Sequence, residues 1–229
     1  FKDEYADQAS AAFALQEAYG ICICPEYADS RASVQFLYAV ERNERLVDAL
    51  DALKEDSNGF AQWRLLHGRV IITFRVPPED GSVFIMDRVI KADFEARIWS
   101  ELLMQIERTY NEQYLDTPII ASTACLGLDE EVPLVAGEEM EPFRFKAQAP
   151  LREIILGIFD QVGDPLLEYG LSGSEAGPDL FRYALRIRRP DCRTDYESEE
   201  ELMASRRAGK EERERLTTYL ERINAAKEK

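Results

Sequence analysis

Histidine is almost missing from this chain: His67 stands alone in 229 residues. Only four cysteines accompany it, Cys22, Cys24, Cys125 and Cys192, too few and too scattered to staple a small secreted fold. A zinc site wants four ligands, normally spaced C-x2-C, and neither the Cys22/Cys24 spacing nor one histidine supplies them. A nucleophile and base made of Cys125 and His67 has no family signature around "STACLG". The expectation is buried structural cysteines in a reduced, intracellular protein of cytoplasm or nucleus, with no catalytic residue, no metal and no cofactor.

Long apolar runs are missing too. "VIITF" and "EIILGIF" fall far short of the roughly 20 residues that a membrane helix needs, so no membrane partner is expected. Positive charge is in deficit, with 28 Lys and Arg against 44 Asp and Glu, a formal net charge of −16. Such a surface repels nucleic-acid phosphates and anionic lipid, which leaves protein partners, a basic one among them. The sequence opens on "FKDEYADQ", neither a start methionine nor a signal peptide, so targeting is not legible there. The glycine-rich "GLSGSEAGPD" lacks the G-K-[ST] ending of a phosphate loop and leads into a strand, where no helix N-terminus waits for an anion. Carboxylate neighbours such as Glu138 and Glu139, or Asp129 and Glu130, lack calcium-loop spacing and read as a solvated acidic loop.

What is present is enough apolar residue, 45%, to build a core, in an order that reads as α+β. Tyr5, Ala9, Ala12, Phe13 and Leu15 recur at helical spacing before Gly20, which predicts a helix over 3–18. "ICIC" and "ASVQFLYAV" read as two strands that pair with each other. Leu46, Val47, Leu50 and Leu53 make the next helix amphipathic, and Asn58-Gly59 ends it. Residues 69–76 and 83–90 read as a hairpin around "PPEDG", with Val70, Ile72, Phe74 and Val76 as its apolar face and Arg69 and Arg75 on its mixed face. A long helix is expected from an N-cap at Asp93, carrying Phe94, Ile98, Leu102, Ile106 and Tyr110 four apart up to Pro118. "IIASTACLGL" and "FRFKAQ" follow as strands around an acidic loop over 129–141. A helix starting at Pro150 and broken near Gly163 and Pro165 comes next, then a flexible loop "LSGSEAGPD". The strand "LFRYALRIRR" alternates apolar residues with Arg182, Arg186 and Arg188.

These elements imply a mostly antiparallel sheet with helices on one face and a C-terminal helical extension. The expected division is a single domain over 1–193, with a sub-boundary near 116–142 as the alternative, and a charged helix over 194–229. That tail opens on a capping-box pattern and carries sparse apolar residues, Leu202, Leu216, Leu220 and Ile223. Absent catalytic signatures favour a non-enzymatic protein-interaction module, an adaptor or subunit of a multiprotein complex. It would work through a sheet face (Arg69, Arg75, Arg182, Arg186, Arg188) and the tail (Leu216, Leu220, Ile223). The alternatives are an enzyme or small-ligand binder with scattered site residues, and an acidic protein that neutralises a basic partner. A homo-oligomer stays open, as does pairing of the 129–141 acids with the 182–188 arginines.

Overall fold

The computed structural model describes residues 5–6, 8–27, 36–37, 45–75, 83–123, 134, 141–164, 167–177 and 180–188. Its elements in chain order are β1 (Tyr5–Ala6), α1 (Gln8–Tyr19), β2 (Ile23–Tyr27), β3 (Phe36–Leu37), α2 (Leu46–Asp56), β4 (Ala61–Leu66), β5 (Arg69–Phe74), β6 (Val89–Ala96), α3 (Trp99–Gln113), β7 (Ile119–Thr123), β8 (Phe143–Pro150), α4 (Leu151–Val162), β9 (Glu168–Gly177) and β10 (Leu180–Arg188). A single 3-10 turn, Ile85–Asp87, precedes β6. The protein is thus α+β with mixed, mostly antiparallel pairing. The chain divides into two compact units, Phe1–Glu26 with Arg31–Arg75 and Arg193–Lys229, and Tyr27–Ser30 with Val76–Cys192. The 116–142 stretch lies inside the second.

In the first unit α1 ends as Gly20 takes φ +59, and its N–H donates to the Gln16 carbonyl. Helix α2 buries the four residues expected, Leu46, Val47, Leu50 and Leu53, and stops where Asn58 and Gly59 turn left-handed. The hairpin differs from the sequence expectation. Strand β5 pairs with β4, through a tight turn in which His67 (φ +50) and Gly68 (φ +69) supply the two positive φ angles of a type I′ turn. "QWRLL" carries too little alternation to announce that partner. Strand β5 lies between β4 and β2, and all six of its residues are buried. Its mixed face is therefore interior: Thr73 donates from Oγ1 to Glu26 Oε2 at 2.9 Å, and Arg69, 3% exposed, donates to the His67 carbonyl. The expected pairing of "ICIC" with "ASVQFLYAV" is also corrected, because β3 pairs antiparallel with β1.

In the second unit residues 93–98 do not open the long helix. Ile90, Ala92, Phe94 and Ala96 are buried and alternate with exposed neighbours, so the period of two wins over the four-residue series because β8 pairs with the segment along its whole length. Helix α3 begins at Trp99 and buries Trp99, Leu102, Leu103, Ile106 and Tyr110. Helix α4 follows Pro150 directly and ends at Gly163, whose φ is +75. Its Gly157 lets the helix approach β8: a Cβ there would stand 3.1 Å from the Phe145 ring. The "LSGSEAGPD" stretch expected as a loop belongs instead to β9, paired antiparallel with β10, while β7 runs parallel to β10. Glycines lowered its apparent strand propensity, but register with β10 decides it.

Two clamps tie this unit together. Arg152, almost wholly buried on α4, binds Asp87. Arg88 makes a bidentate pair with Asp116 at 3.1 Å for both bonds, donates to Thr117 and lies 4.9 Å over the Tyr114 ring. Burial opposes the Arg88 charge, and Asp116 and Tyr110 together more than offset it, so the guanidinium is held above its ordinary value.

Candidate functional site

Strands β6 and β8 form a two-stranded antiparallel ribbon, with Phe94 opposite Phe145 on the inner side and a polar outer side. On that outer side Lys91, Asp93 and Glu95 stand opposite Gln148, Lys146 and Arg144. Lys146 Nζ lies 2.6 Å from Asp93 Oδ2 and Arg144 Nε 3.4 Å from Glu95 Oε2, all four side chains being largely exposed. Such cross-strand pairs fix register more than they stabilise.

The backbone decides what the ribbon's two edges offer. The Leu151 N–H donates to the Arg88 carbonyl at 2.9 Å, in the same register as the strands. Even-numbered β6 residues and odd-numbered β8 residues therefore bond each other, whereas Val89, Lys91, Asp93, Glu95, Arg144, Lys146 and Gln148 turn their N–H and C=O groups outward.

The β6 edge is lined by α3. The Gln105 side-chain amide accepts the Glu95 N–H at 3.1 Å and donates to the Glu95 carbonyl at 2.7 Å, as a neighbouring strand would. Glu101 accepts the Arg97 N–H, and the Tyr114 hydroxyl donates to the Val89 carbonyl at 2.8 Å. On the opposite flank of the same helix Asn111 does the same for β7, accepting the Ile119 N–H at 2.8 Å and donating to its carbonyl at 2.9 Å. Glu107 takes the Ala121 N–H. One helix thereby caps both ends of the β6 edge and the start of the β7 edge, a recognised protection against unwanted pairing, while the outward groups of Lys91 and Asp93 between those caps carry no bond among the described residues.

The β8 edge is treated differently. Gln161 of α4 donates to the Arg144 carbonyl at 2.8 Å. Among the described residues, nothing bonds the outward N–H and C=O groups of Lys146 and Gln148. At the β6 start the ribbon carries an apolar corner: Val89 is 45% exposed, and Leu115, next to Tyr114, is 84% exposed.

The residues singled out from sequence are dispersed. Arg69 is buried in the first unit and Arg75 half-buried. Arg186 is exposed on β10 between buried Leu185 and Ile187, as alternation required. Arg182 and Arg188 occupy the same backbone face, opposite Ser174 and the fully buried Glu168 in register. Leu216, Leu220, Ile223, Cys125, Cys192 and nearly all of the 129–141 acidic stretch lie outside the described residues. Cys22 and Cys24 are buried thiols, and His67 is an exposed turn residue. No group of three metal-binding side chains occurs among the described residues, and none of their helices is long and apolar enough to cross a membrane. Arg144, Lys146 and Gln148 escaped attention although "FRFKAQ" was legible as a strand, because edge position is a property of topology.

No protein-family model, curated protein or solved structure matches the chain.

Proposed function

We propose that the chain is a non-enzymatic protein-interaction module, an adaptor or subunit of a multiprotein complex, that meets its partner through a sheet face. The observation that carries this reading is the β6–β8 ribbon. It joins an exposed ladder of charged residues to an apolar corner of Val89 and Leu115, beside an arginine stacked on Tyr114. Aromatic, arginine and exposed aliphatic side chains brought together on a preformed surface are what protein interfaces bury at their centres.

The test is affinity capture from native extract with three baits: the intact chain, a chain ending at Asp195, and the double variant Val89→Asp, Leu115→Asp. A partner held by the first two baits and lost by the third supports the sheet-face reading. A partner lost only with the tail transfers the contact to residues beyond 195. Equal capture by all three overturns the ribbon as the contact surface.

A further inference from the structure

We infer that the open edge of β8 accepts an extended, acidic segment of a partner chain as an added β-strand. The inference rests on reading the chain as an interaction module, and it names the partner's chemistry. The juxtaposition behind it is a backbone row at Lys146 and Gln148 that no described residue bonds, next to two cations, Arg144 and Lys146, spaced two apart on the exposed face of the same strand.

Main-chain hydrogen bonds give an added strand its affinity, and alternate side chains give it specificity. Lys146 and Gln148 present two N–H donors and two C=O acceptors along one edge, and the Gln161 cap on the Arg144 carbonyl marks where that open stretch begins. The charges select the occupant. Arg144 and Lys146 already face Glu95 and Asp93 across the ribbon, so their other sides lie toward the position that an added strand would take. Carboxylates at alternate residues of an incoming strand would sandwich each cation between two acids. A basic strand would set like charges opposite each other.

The same rule disfavours a second copy of this chain. Antiparallel β8 strands brought together with Lys146 opposite Lys146 repel, and the shifted register sets Lys146 against Gln148 with no opposite charge to gain. Lys146 thus acts as a gatekeeper against self-pairing while leaving the edge open to acids.

The test uses the full-length protein and two synthetic fluorescent peptides, one alternating Val with Glu over six residues and one alternating Val with Lys. Binding is read by fluorescence anisotropy at low and moderate salt, and the site by amide hydrogen exchange. Expected is preferential binding of the acidic peptide that weakens with salt, with new protection of the Lys146 and Gln148 amides. Lys146→Glu should weaken it by about tenfold or more through charge. Gln148→Pro should do the same through the backbone, because it removes an outward N–H that the ribbon does not use, a position where an edge strand tolerates proline. Circular dichroism checks both variants for folding, and Lys146→Glu alone decides if the proline variant unfolds.

Equal binding of both peptides, affinity unchanged in Lys146→Glu, or protection located elsewhere overturns the inference. Protection of the two amides in the peptide-free protein means that the chain's own residues fill the edge, and overturns the claim of a partner strand. No binding of the acidic peptide overturns it as well. The reading of the ribbon as the contact surface fails separately, on equal capture of a partner by the intact chain and the Val89→Asp, Leu115→Asp bait.

Discussion

The two edges of the β6–β8 ribbon present matching rows of outward N–H and C=O groups and are capped to different degrees. Along β6, a helix lies alongside and its Gln105, Glu101 and Tyr114 side chains take up outward N–H and C=O groups. Along β8, one amide from α4 reaches one carbonyl, and the row beyond it at Lys146 and Gln148 carries no bond among the described residues. An edge strand is thus open or closed according to whether a neighbouring helix carries a side chain of the right length at the right turn, not according to its own sequence. Glu95 and Lys146 are both exposed charged residues in alternating strands, and nothing in their own segments separates them.

The sharpest way to break the capped edge is to unseat α3. Ile106 is fully buried on the midline of that helix, between the flank that caps β6 through Gln105 and the flank that caps β7 through Glu107 and Asn111. Ile106→Ala should cost about 2–5 kcal/mol in urea unfolding through lost burial and the cavity left behind. It should also raise hydrogen exchange at Glu95 and Ile119 together. Faster exchange at only one of them would show that the helix does not hold the two edges as a unit.

A smaller loss, about 2 kcal/mol, is expected from Asn111→Leu, because the part-buried Ile119 N–H and C=O would both be stranded. Gln105→Leu should cost less, about 0.5–1 kcal/mol, since the exposed Glu95 groups can turn to water. Equal losses would mean that the two amides are buried alike. On the open side, Gly157→Leu should cost about 1–2 kcal/mol by overpacking against Phe145, net of the better helix propensity. Gly157→Ala should be nearly neutral, the ring edge giving way while the helix gains.

Sequence periodicity reached the elements whose fate is local. Helix α2 was legible with its buried face and its Asn58-Gly59 stop, as were β7, β8, the helix after Pro150 and the Leu185/Ile187 alternation of β10. It failed where two periods coincided: Phe94 to Tyr110 fits a helix, Ile90 to Ala96 fits a strand, and pairing with β8 settles the conflict. It failed again where pairing made a strand out of glycines in β9, and where both faces of β5 became interior, which drew Arg69 into the core. For the candidate site almost nothing was legible. The charged residues of β6 and β8 are 49 and 53 positions apart in the chain where they bond, and an open backbone edge leaves no mark on composition.

A small, pH-dependent effect concerns the corner where the β6 edge begins. The bond from Arg88 holds the Asp116 carboxyl below its ordinary value of 3.8. A carboxyl lowered in the folded state adds stability that is complete above the unfolded value and is lost as pH falls through the folded one. The stability difference between the wild type and Asp116→Asn should therefore be constant from pH 7 to about 5, narrow below about 4 and vanish at lower pH. Because the Asp116 side chain is 66% exposed, the difference should be only a few tenths of a kcal/mol and should shrink with salt. Urea melts of the two proteins at pH 7, 5, 3 and 2 measure it. A gap that persisted unchanged at the lowest pH would assign Asp116 a packing role in place of a charge, and would leave the Tyr114 stack and the Thr117 bond as what holds Arg88 at the β6 end.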